Sequence, residues 1–264
     1  MQNRIQQYAA VMWQLLKTDF VVFRQNFLDD VINIFVWLVS FVAIVAHIYP
    51  KMGLTSSFGM LFAFSMMAGE SYWRIWNSSF LLIDDLEGKR IIDYYCTLPI
   101  PSWMVFLKEI LAFMYKSLIF GAIMFPILLI LLGDYMVWDS FSSMKLIFMF
   151  LAATCFTATM FLFLSSFIVD RNNLRKIGIR ILFPLWMSGA AEFPYRVIQA
   201  ALPTWAGSLL LLNPVIYLME GMHNATLGPS GFFPFWICMV VTLCVSVAFG
   251  IVGIIRFKRR LDLV

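Results

Sequence analysis

The chain has 264 residues, 62% hydrophobic and only 13% charged, with a net charge of +4 and a mean hydropathy of +0.85. Soluble domains are about half apolar and about a quarter charged, so these figures exclude a water-soluble globule, and 27 Phe, 9 Trp and 9 Tyr exclude a disordered chain. Four scattered Cys and two His give neither a disulfide framework nor a zinc site, and the small excess of cations is no nucleic-acid footprint.

The first recognisable element precedes any span. Ile5, Tyr8, Met12, Leu16, Phe23 and Phe27 recur at spacings of three, four or seven, while Gln7, Gln14, Lys17, Arg24 and Gln25 mostly take the other side. A basic amphipathic helix of this kind lies in the membrane interface, as an anchor or as a contact for a partner. The chain therefore divides into an interface helix, residues 1–30, and a spanning domain, residues 31–264. No cleavable signal is expected, because the first apolar run starts late and lacks a small-residue cleavage site.

A helix crossing the hydrocarbon needs about 20 apolar residues. Such runs occupy Val31 to Tyr49, Phe58 to Ile83, Ile110 to Leu132, Leu146 to Val169 and Phe232 to Ile255. Between the last two lies a broken region with Pro184, Gly189, Pro194, Pro203, Gly207 and Pro214. Its organisation follows from charge, since Lys and Arg gather on cytoplasmic segments. Arg4, Lys17 and Arg24 precede the first span, and Lys89, Arg90 and Lys108 follow the second. Arg171, Arg175, Lys176 and Arg180 follow the fourth, and Arg256, Lys258, Arg259 and Arg260 follow the last. Six spans put all four groups on one side with both termini inside; seven would expose the last group outside. The expectation is thus an all-α, six-span plasma-membrane protein. Its fifth span runs from Ile177 to Ile198, and a half-inserted, re-entrant excursion from about Gln199 to Met219.

Three groups of residues are candidates for function. The segment Asp84 to Pro101 mixes charges and apolar residues at helical spacing, and Pro99 and Pro101 stop it before the third span. It reads as a short helix across the membrane face, offering charges to a cytosolic partner, or as a solvated loop that anchors the spans. Asp84, Asp85 and Glu87 also suggest magnesium held for a lipid diphosphate, although Asp29 and Asp30 make a poor second acidic cluster. Within the spans, Glu70 and Arg74 are spaced to pair on one helix, and Lys116 sits about two turns into the third span. Intramembrane charges line a polar path, lock helices together or snorkel, and Glu70 would be the acid of a proton-coupled carrier. Glu192 lies in the broken region, where non-helical backbone survives only against protein or a water-filled cavity. Trp13, Trp73, Trp76, Trp103, Trp138 and Trp205 fall near interfaces, as an aromatic belt does.

Three patches together resemble the ABC-2 family, the permease subunits of ABC exporters. Gly88, Asp93 and Leu98-Pro99-Ile100 are similar to the family's cytoplasmic segment, with Asp93 where Glu is commoner and Tyr94-Tyr95-Cys96 replacing a Leu-rich step. Leu212-Asn213-Pro214-Val215-Ile216-Tyr217 with Glu220-Gly221-Met222 resembles its Asn-Pro motif, with His223 where Arg is frequent. The Gly189 to Pro203 break is similar to its outer re-entrant helices. The resemblance implies a bacterial inner-membrane exporter of a drug, lipid or lipid-linked glycan. It implies a second permease copy as partner and cytosolic ATPase subunits docked on Asp85, Glu87, Gly88, Lys89, Arg90 and Asp93. No GxxxxGK[ST] loop occurs, so ATP and magnesium would belong to the partner, and this chain is expected to bind no cofactor or metal and to have no catalytic residues.

Overall fold

The computed structural model describes residues 2–44, 48, 50–53, 56–133, 138–168 and 170–261, with only the backbone for 2–5, 50, 56–60, 62, 89 and 261. Among these residues every regular element is helical. Helix α1 (Gln2–Ala43) is followed by α2 (Ser56–Asp84), a π-helical turn at Asp85–Lys89 and the short α3 (Ile91–Thr97). Helices α4 (Ser102–Leu132) and α5 (Ser143–Ser165) follow as a long pair. Next, α6 (Arg171–Ile177) runs through a π segment, Gly178–Leu182, into α7 (Phe183–Met187). Three short helices, α8 (Tyr195–Ala201), α9 (Thr204–Leu210) and α10 (Pro214–Leu227), lead to α11 (Phe235–Leu261).

Among the described residues, four stretches are long and apolar enough to cross a membrane: Gln6–Ala43, Ser102–Leu132, Ser143–Ser165 and Phe235–Arg260. The protein is therefore an all-α, multi-pass membrane protein. Helix α2 matches them in length with 29 residues, but Glu70, Arg74 and Asn77 leave it less apolar.

Helix α5 forms the centre. It packs against α2, α4, α10 and α11, and Phe156, Ala153, Ala158 and Met149 on it are fully buried. Helix α1 makes its main contact with α4 and is otherwise the most exposed of the long helices. Each π or turn segment has a local reason. The residue that breaks the chain before α3 is Arg90, in the left-handed region at φ 53, whose N–H reaches the Asp85 carbonyl at 2.6 Å. Gly88, the residue free to adopt that conformation, is instead helical, and a Cβ there would meet open space. Gly178 lies so close to α2 that a Cβ would fall 1.4 Å from the Trp76 ring.

Three sequence expectations change in shape. The expected interface helix and first span form one helix, because no Gly or Pro interrupts Gln2–Ala43. At 1.5 Å per residue it is about 60 Å long, roughly twice the hydrocarbon thickness. The expected fifth span, Ile177 to Ile198, is not continuous. Its helix starts earlier, at Arg171, and ends at Met187; the chain turns at Ser188–Ala190 with Ala190 at φ 61 and restarts after Pro194. The excursion expected from Gln199 to Met219 resolves into the end of α8, all of α9 and the start of α10. The ends expected at Tyr49 and Val169 lie outside the described residues.

The long helices leave two distinct ends. One gathers α3, the Asp84–Arg171 ion pair and the Arg260 guanidinium, which donates to the Ser165 carbonyl at 3.2 Å. The other gathers α10 and the start of α5, where Ser142 N–H donates to the Ala225 carbonyl at 2.9 Å.

Candidate functional site

The end carrying α3 holds the first candidate site. Asp85 closes the π turn and organises the next helix: its two carboxylate oxygens accept the Ile91 and Ile92 N–H groups at 3.1 and 3.0 Å. These are orphan donors at a helix start, so Asp85 fixes α3 from outside the helix. Pro99 and Pro101 then turn the chain, and Ser102 begins α4. Ile92 is buried beneath α3, while Ile91, Tyr94, Glu87 and Arg90 point outward and Asp93 is half-buried within electrostatic reach of Arg260. The result is a short, capped helix that presents apolar and charged groups together at one end of the bundle. The Lys89 side chain lies outside the described residues.

Two of the three carboxylates considered for magnesium are engaged by protein. Asp84 pairs with Arg171 at 2.5 Å and Asp85 holds the start of α3, while Glu87 points away into the open. Among the described residues no group of three His, Cys, Asp or Glu side chains is placed to hold a metal.

A second polar cluster joins α1 to α4 just beyond α3. Asp19 accepts hydrogen bonds from Lys116 at 2.8 Å, Lys108 at 3.2 Å and the Tyr115 hydroxyl at 2.5 Å, and Lys108 also bridges Glu109 at 2.9 Å. Two cations and two anions balance in a largely dehydrated site. Lys116, expected as a lone intramembrane charge, is thus paired to the N-terminal helix. Asp19 and Glu109 give no signal in the sequence, since their partners are about 90 residues away or lie on the adjacent position.

The third site is a groove between α1 and α2 of about 510 Å³, lined by Asp30, Asn33 and Trp37 on one side and Glu70, Trp73, Arg74 and Asn77 on the other. Glu70 and Arg74 pair within α2 as their spacing requires, and the Arg74 guanidinium lies 4.3 Å from the centre of the Phe120 ring on α4. Glu70 Oε2 and Arg74 Nε are buried without a further partner among the described residues. Charged, amide and indole groups therefore converge on one opening at mid-helix.

The Asn-Pro region does structural work at the opposite end. Asn213 Oδ1 accepts from the Val215 N–H at 3.0 Å and caps α10, with Pro214 at its first position. Its Nδ2 donates to the Leu185 carbonyl at 2.7 Å and the Ser188 hydroxyl at 3.0 Å, satisfying the end of α7. Glu220, fully buried, accepts from the N–H groups of Tyr195 at 2.7 Å and Phe233 at 3.0 Å, tying α8 and the entry to α11 onto α10. His223 meets the Ser65 hydroxyl of α2 at 2.6 Å, and the Tyr217 ring stacks on Phe233. Leu212 is exposed. Glu192 lies in the turn between α7 and α8 and does not line the groove that Glu70 and Arg74 share.

The chain matches no protein-family model, and no curated protein and no solved structure is detectably similar to it.

Proposed function

We propose that this protein is the permease subunit of an ATP-driven exporter, in which α3 receives the stroke of a separate cytosolic ATPase. The observation that carries this reading is the capped α3 with Ile91 and Tyr94 exposed between the ends of α2 and α4. A helix fixed at both ends moves its flanking helices when it is pushed, whereas a frayed loop absorbs the push. Exposed apolar side chains beside Arg90 and Glu87 suit a groove on a soluble partner.

In this reading α1, α2, α4, α5, the α6–α7 rod and α11 are six spans. The end carrying α3 is cytoplasmic together with both termini, in accord with the basic residues gathered there. Helices α8 to α10 cap the outer end and form the outer gate. Two copies would pair, and the α1–α2 groove with its Trp, Asn and charged groups would face the path of an amphiphile. The binding of ATP closes the ATPase dimer only if ATP prefers the closed form; that preference tilts paired permeases from inward-open to outward-open.

The test is a disruption of the exposed face of α3. Ile91→Asp with Tyr94→Asp should abolish ATPase association and transport while the protein still extracts as a folded species, because neither side chain is in the core. Undiminished association and transport in that variant would remove α3 from the coupling path.

A further inference from the structure

The rod formed by α6, the π segment and α7 has two faces of different character. Leu174, Gly178, Leu182 and Trp186, at spacings of four, are buried against the bundle. Gly178 brings the rod onto Trp76, and the Tyr72 hydroxyl donates to the Leu182 carbonyl at 2.7 Å. The opposite face is open along its whole length. Asn172, Arg175, Lys176, Ile179 and Arg180 line a concavity of about 430 Å³ there. Their spacings of three, one, three and one place them on one side of the helix. Arg175, Lys176 and Arg180 make no ion pair among the described residues, although Arg171 on the preceding turn does. From Ile179, which lies between Lys176 and Arg180, the same face continues as an apolar strip: Ile179, Phe183 and Met187 are 61%, 49% and 48% exposed.

Three unpaired cations at one end and three exposed apolar side chains continuing along the same helix describe a two-part ligand. We infer that this face binds an anionic membrane phospholipid, its phosphate on Arg175, Lys176 and Arg180 and its acyl chain along Ile179, Phe183 and Met187. The charges sit at the end of the bundle that carries α3, where the headgroups of that leaflet lie in the six-span arrangement. Basic hollows between or beside spans attract anionic headgroups in this way, and guanidinium groups grip phosphate with paired donors. The site needs only that the rod spans the membrane; it does not need an ATPase partner, so failure of the exporter reading leaves it standing.

The experiment is native mass spectrometry of the full chain released from nanodiscs of phosphatidylcholine and phosphatidylglycerol. The protein should retain phosphatidylglycerol in preference to phosphatidylcholine. Arg175→Gln, Lys176→Gln and Arg180→Gln combined should weaken that retention about 100-fold, as follows from roughly 1 kcal/mol for each of three cations. Arg175→Lys with Arg180→Lys, which keeps the charge but loses the paired donors, should keep most of it, and Phe183→Ser with Met187→Ser should shorten it. Millimolar inorganic phosphate should not displace the lipid. Equal phosphatidylglycerol retention by the triple variant and the unaltered chain would overturn the proposal. So would displacement by phosphate alone, which would make the hollow a site for a free anion. Spontaneous disulfide cross-linking of an Ile179→Cys variant to a second copy would also overturn it, by showing protein where the lipid should lie.

Discussion

Replacing Asp19 with Asn tests how the N-terminal part of α1 is held. The carboxylate sits between Lys108, Lys116 and the Tyr115 hydroxyl, with side-chain exposures of 17% for Asp19, 8% for Lys108 and 26% for Lys116. Asn keeps the shape and an acceptor for Tyr115 but removes the charge, leaving two ammonium groups to share Glu109. Breaking a buried pair by removing one partner costs about 3–5 kcal/mol. Partial hydration of Lys116 puts this site at the lower end, about 3 kcal/mol, or on the order of 6–10 °C in Tm for a chain of this size. The loss should be local as well as global, since α1 leans mainly on α4. Thermal unfolding in detergent and limited proteolysis before residue 30 are the readouts. Lys116→Met added to the Asp19→Asn variant should recover part of the loss, giving a coupling of about 1–3 kcal/mol in a double-mutant cycle. An unchanged Tm and no coupling would refute the lock, and α1 would then be held by its apolar contacts alone.

Gly178→Ala should destabilise the protein by about 1–3 kcal/mol despite the better helix propensity of Ala, because the new methyl meets the Trp76 ring; thermal unfolding should show the loss and Trp76→Leu should relieve it. Asn213→Ala should cost about 1–2 kcal/mol and speed amide exchange both in the first turn of α10 and around Ser188, since one side chain serves both helix ends. Asn213→Asp should retain the cap on α10 and lose only the donors to Leu185 and Ser188, so its exchange should quicken around Ser188 more than in α10.

The membrane class, the long apolar helices and the short helix ahead of Pro99 are legible in the sequence because each depends on local composition and spacing. Glu70 and Arg74 are legible as a pair for the same reason: they lie one turn apart on a single helix. The unbroken α1 is also within reach, since the absence of Gly and Pro from Gln2 to Ala43 leaves nothing to end it; the change from amphipathic to apolar character at about residue 30 looks like a boundary although it changes only the surroundings of the helix. The position of the αL residue is not legible. Gly88 has the conformational freedom, yet Asp85 captures the Ile91 and Ile92 N–H groups and so places the break at Arg90. Asp19 and Glu220 are the clearest cases beyond reach. Each is defined by partners on other helices, and no spacing within the chain announces a contact between Asp19 and Lys108 or between Glu220 and Phe233.

The exporter proposal stands on α3 taking its motion from a separate ATPase. The decisive experiment is to tag this chain, extract it gently from its native membrane and identify stoichiometric companions by mass spectrometry, then assay ATP hydrolysis by the complex. The expected result is a soluble subunit carrying a GxxxxGK[ST] phosphate loop, with ATPase activity that depends on this chain and on Ile91 and Tyr94. A chain that comes out alone, with no ATPase activity following it, would contradict the proposal.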